Sequence, residues 1–111
     1  MNANRASGGP ALMWCPFPDA QTAASAGDAL LGEGLVACVN IVPGIETRFV
    51  WRGQHTITQE VGVLLKTDAA LLAAAIARLA ELHPYEEPAI LGWCCDAAAP
   101  ATAAWLGALV R

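Results

Sequence analysis

The chain has 111 residues, 56% of them apolar and only 14% charged, where a globular average lies nearer a quarter charged. The six basic residues are scattered among ten acidic ones for a net charge of −4, which excludes a clustered basic footprint for nucleic acid or for an anionic membrane surface. This is the composition of one folded domain rather than of a disordered chain, and so few charges on so small a body point to surface buried against other subunits.

Residues 1–10 are polar, small and glycine-containing and read as a disordered tail, with residues 11–111 forming a single domain. Ala11–Phe17 is an apolar run closed by Pro16 and Pro18, which predicts a buried strand. Asp19 is a good N-cap for a helix carrying Ala23, Ala26 and Leu30 at helical spacing, and Gly32 and Gly34 end it. Leu35–Ile41 predicts a second strand. Pro43-Gly44 interrupts it with a bend or bulge, and Ile45–Trp51 resumes the extended pattern.

Arg52-Gly53-Gln54 reads as a hairpin turn into a strand over Thr56–Lys66. There Ile57, Val61, Val63 and Leu65 share one face, and Thr58, Glu60, Leu64 and Lys66 the other. Asp68 is placed to cap a second helix with Leu72, Ala75, Ile76, Leu79 and Leu82 along one side. His83-Pro84 stops that helix. Ala89–Cys95 predicts a fourth strand, and Pro100 opens a short final helix with Trp105, Leu106 and Leu109.

The order βαββαβ plus a terminal helix predicts an α+β, ferredoxin-like sandwich with two helices on one face of an antiparallel sheet. Its strands are apolar on both sides, with Leu12 and Trp14 set against Met13 and Cys15. Two helices cover only one face, so a neighbouring chain is expected on the other. The longest apolar runs, Ala69–Ala77 and Ala97–Val110, are too short or too broken to span a bilayer. The N-terminus lacks the apolar core of an export signal. The expectation is a cytoplasmic protein with no membrane or nucleic-acid partner. Cys15, Cys38, Cys94 and Cys95 form no C-x-x-C pair and are expected as free thiols, with Cys38 in the core.

Several segments in register resemble the CutA divalent-cation tolerance family. They are Leu35-Val36-Ala37-Cys38-Val39-Asn40-Ile41-Val42-Pro43-Gly44, Trp51-Arg52-Gly53, Leu65-Lys66-Thr67, His83-Pro84-Tyr85 with Pro88, and Trp105-Leu106. The resemblance runs from Leu12 to Leu109. It implies a homotrimer of ferredoxin-like subunits similar to the PII signalling trimers, linked through a long bent strand pair. It also implies a role in tolerance to copper and other divalent ions, with no enzymatic reaction attached. Cys15 stands where copper-binding relatives place a cysteine, and His83 matches the histidine of the H-P-Y motif, a proposed ligand. Thiolate and imidazole together form a soft donor set suited to Cu(I). At Leu82 a copper-binding relative has a second histidine, so two recognisable donors remain. Glu60, Glu86, Glu87 or a neighbouring subunit would complete the set for a harder ion. In the plainer structural reading, Cys15 is a small buried hydrophobe and His83 a helix-end residue.

In relatives the H-P-Y turn lies beside the long hairpin near the trimer interface. Here that would gather Trp51, Glu60, Lys66, His83 and Tyr85 into a ligand cleft, with Arg52 at its rim and open space over Gly62. The same residues also suit an intersubunit salt-bridge network with aromatic anchors. No P-loop, GxGxxG or Ser-His-Asp order is present, and no nucleophile–base pair is readable. The chain is therefore expected not to be an enzyme. Two functions stay open: a trimeric metal-tolerance protein binding copper or another divalent ion, and a PII-like trimer that senses a small molecule or anchors a protein, its metal binding incidental.

Overall fold

A computed structural model of the chain describes residues 6–111. Four strands and three helices follow one another: β1 (Pro10–Phe17), α1 (Ala20–Gly32), β2 (Cys38–Trp51), β3 (Gln54–Asp68), α2 (Leu72–Leu82), β4 (Leu91–Cys94) and α3 (Pro100–Gly107). The fold is mixed α+β with one four-stranded sheet in the order β2-β3-β1-β4, antiparallel at every pairing.

The sheet's two faces differ as strand periodicity requires. Met13, Cys15 and Phe17 of β1 and Val61, Val63 and Leu65 of β3 point into a core completed by Ala23, Ala26 and Leu30 of α1 and Ala75 and Leu79 of α2. Gly92 of β4 backs directly onto Leu72 and Ile76 of α2. Its neighbours Leu91 and Trp93 therefore point the opposite way, beside Trp14 and Leu12, and both are exposed. Cys38 pairs with Lys66 on that same open face, where it is half-buried. The expected core placement of Cys38 is corrected by register: before the bend the odd positions of β2 face the helices, as Val39 does against Gly27 of α1.

Asp19 caps α1 as expected, accepting the Thr22 N–H at 2.8 Å. Asp68 does not cap α2. Its carboxylate caps a single 3-10 turn, Ala69–Leu71, through the Ala70 N–H, and also holds the Ser7 hydroxyl and the Gly8 N–H. The expected tail thus becomes fixed structure by Ser7, while residues 1–5 lie outside the described residues. The fourth strand is shorter than the expected Ala89–Cys95.

β2 and β3 form a ribbon much longer than the rest of the sheet. It bends at an irregularity between Val42 and Ile45, across Pro43-Gly44, as the sequence pattern predicted. Beyond this bend no helix packs on the ribbon, and Phe49, Val50, Trp51 and Ile57 are all exposed. Arg52 and Gly53, at φ 50° and 77°, close the hairpin in the left-handed pair that matches strand twist. Among the described residues, no helix is long and apolar enough to cross a membrane.

Candidate functional site

The candidate site forms where the segment after α2 meets the end of β1. Pro84 cannot continue the helix, so the chain turns out at His83, whose backbone is already extended. The His83 ring stacks on Phe17 with centroids 4.1 Å apart and lies 4.9 Å from the Tyr85 ring. Both of its nitrogens are engaged. The Tyr85 N–H donates to Nδ1 at 3.0 Å, so Nε2 carries the proton and donates to the Pro16 carbonyl at 2.8 Å. Burial pushes the His83 pKa down, against the opposing pull of the Pro16 hydrogen bond and the Glu60 charge. The imidazole is therefore neutral, with its one lone pair already used.

Cys15 points at the same acceptor, with Sγ 3.6 Å from the Pro16 carbonyl. It is fully buried, and burial, followed by the nearby Glu60 charge, pushes its thiol up to about 12. A thiol so far from ionisation is not poised as a nucleophile. The structure does bring Cys15 and His83 together, on one carbonyl oxygen. It places them there as hydrogen-bond donors, so as folded they do not fit a copper ion. Among the described residues, no three His, Cys, Asp or Glu side chains cluster as a metal would need.

The cleft is the more developed feature. Glu60 is only 7% exposed and accepts the Tyr85 hydroxyl at 2.8 Å. Burial, together with the Glu60 hydrogen bond and charge, raises the Tyr85 phenol to about 12, so it stays protonated and donates. From this pair a cavity of about 810 Å³ runs along the ribbon, within the range of small-molecule sites. Trp51, Glu60 and Tyr85 line it, and Arg52 sits at its far end with its guanidinium 5.4 Å from the centre of the Trp51 ring.

Lys66 does not belong to the cleft. It lies six residues further along β3 than Glu60, roughly 20 Å at strand rise, paired with Cys38 and Leu12. The space expected over Gly62 is filled by the Trp14 indole and the Ile45 side chain. Sequence reasoning missed Thr47, Phe49, Thr56 and Thr58, which line the groove between Glu60 and Trp51. Period-two spacing was the available signal: Thr47 and Phe49 alternate with Trp51, and Thr56 and Thr58 with Glu60.

Residues 11–108 match the family model of the CutA1 divalent ion tolerance protein. A Pectobacterium atrosepticum divalent-cation tolerance protein CutA is 31% identical over 100 residues, covering 90% of this chain and 91% of that one. The crystal structure of CutA from Xylella fastidiosa superposes with a TM-score of 0.87 at 32% identity, covering 92% of this chain and 98% of that one. A CutA structure from Archaeoglobus fulgidus, described as periplasmic, shares the fold at a TM-score of 0.86 and 24% identity, covering 92% and 99%. With the family model spanning nearly the whole domain, the chain belongs to the CutA1 divalent ion tolerance family.

Proposed function

We propose that this chain serves divalent-cation tolerance as a homotrimer of ferredoxin-like subunits, working as a PII-like binding module rather than as an enzyme. The cleft beside the ribbon is its ligand contact, and coordination of copper or another divalent ion is incidental to that role. The observation that carries this choice is the state of Cys15 and His83. Both are committed as donors to the Pro16 carbonyl, one as a buried neutral thiol and the other as a neutral ring without a spare lone pair. The trimer is supported by Val50 and Ile57, exposed on the ribbon face turned away from the cleft, and by Leu91 and Trp93 on the open face, surface that a small soluble monomer rarely leaves uncovered. Cytoplasmic residence is part of the reading, and four free cysteines are compatible with a reducing compartment.

Direct copper coordination is the second reading, favoured by the approach of Cys15 and His83 to one oxygen. Titration with Cu(I) and Cu(II), repeated on Cys15→Ala and His83→Ala, separates the two. The module reading expects wild type and both variants to bind equally weakly. Tight binding of one ion per chain, lost in both variants, would establish the copper site instead.

A further inference from the structure

Glu60 presents a carboxylate oxygen to the cleft. Its carboxylate is nine-tenths buried, yet no lysine or arginine among the described residues pairs with it. One oxygen accepts from Tyr85, and the other takes no hydrogen bond from any described residue while the side chain lines the cleft. A carboxylate oxygen left open to the cleft is an acceptor that a cationic head supplied from outside could use.

The walls indicate which kind of cation. A divalent metal would need several oxygen donors converging on one point, and among the described residues no such cluster exists. Next to Glu60 the groove instead offers the hydroxyl-bearing Thr47 and Thr58, and further out the aromatic rings of Phe49 and Trp51. Glu86 and Glu87 add negative charge along the opposite wall, and Arg52, among the described residues the one basic side chain lining the groove, lies at the far end over Trp51. That arrangement suits an elongated guest with a cationic head and an apolar tail. The head would meet a carboxylate and hydroxyl acceptors, and the tail would lie on aromatic faces that also attract cations.

We propose that the ribbon cleft binds an organic ammonium ion carrying an apolar tail, its head on the free oxygen of Glu60 and its tail along Phe49 and Trp51. This rests on the cleft being the ligand contact of the module, and it names the chemical class of the guest. Tyr85 positions the carboxylate by occupying its other oxygen.

The test is calorimetric titration of the assembled full-length protein with 2-phenylethylammonium. The neutral isostere 2-phenylethanol and Zn²⁺ alone serve as competing probes. The ammonium ion is expected to bind at one per chain, and 2-phenylethanol at least tenfold more weakly. Glu60→Gln, which keeps the shape and an acceptor for Tyr85, is expected to erase that preference for charge. Trp51→Leu is expected to weaken both organic probes alike, which keeps the test meaningful if the Glu60 variant folds poorly. Equal binding of the two organic probes to wild type, or unchanged ammonium binding in Glu60→Gln, would overturn the proposal. So would binding of Zn²⁺ alone at Glu60. The copper titration of Cys15→Ala and His83→Ala reports separately on the module reading, so either idea can fail without the other.

Discussion

At Gly62 one missing methyl group decides how the open face packs. A Cβ there would run into the Trp14 indole and Ile45, both large and held by the sheet. Gly62→Ala is therefore predicted to destabilise the fold by roughly 1–3 kcal/mol, the usual range for overpacking, read as a lower denaturation midpoint in urea. Asp68 is the second such residue. Burial alone would raise its pKa, but hydrogen bonds from Ser7, Gly8 and Ala70 overcome that and hold the carboxyl below its ordinary value. A folded-state pKa below the unfolded one gives stability that is present above about pH 4 and lost as the pH falls through the folded value. Asp68→Asn should lower stability at neutral pH and flatten the decline below pH 4, and acid unfolding profiles parallel to wild type would contradict this. Nothing local in the sequence revealed that role. Ser7 and Gly8 lie some sixty positions from Asp68, so only the N-cap chemistry of the aspartate was legible, and it was assigned to the wrong turn.

The ribbon shows which signals at the scale of elements carry over from sequence. Alternation on β3, the Pro43-Gly44 bend and the Arg52-Gly53 turn all follow from local chemistry, and each was readable. The turn permits a further prediction. Arg52 holds a left-handed φ of 50°, which costs a branched-chain or long residue more than asparagine. Arg52→Asn should raise the denaturation midpoint by the equivalent of about 0.5 kcal/mol, the scale of backbone-compatible substitutions. Strand ends were less legible because long-range pairing sets them. Leu35, apolar and apparently strand-like, bonds back to the Leu30 carbonyl to finish α1, and β2 begins only at Cys38. The cleft was half legible for a related reason. Trp51, Glu60 and Tyr85 followed from the family resemblance, which sets the H-P-Y turn beside the hairpin, whereas Lys66 was gathered with them without its distance along the strand. Tyr85 also connects two elements, tying the turn after α2 to β3. Tyr85→Phe should lower stability by about 1 kcal/mol, the typical net worth of a hydrogen bond, and loosen Glu60 without unfolding the core.

For the whole molecule, the low charge of the sequence and the exposed apolar surface of the fold have one explanation. A two-stranded ribbon is at best marginally stable alone in water, yet here Val50 is 70% and Ile57 55% exposed on a ribbon with no helix behind it. Leu91 and Trp93 leave the open face equally bare. Neighbouring copies of the same chain would cover both surfaces and form a wall beside the cleft. Charges placed in the ribbon, as in Val50→Asp with Ile57→Asp, should dissociate the assembly and expose apolar surface to a dye such as ANS. The molar mass of the wild-type protein in solution, by light scattering across a range of concentrations, tests the assembly on which the cleft reading stands. The account predicts a mass three times that of the 11.5 kDa chain, unchanged on dilution. A stable, well-folded monomer at 11.5 kDa would contradict it.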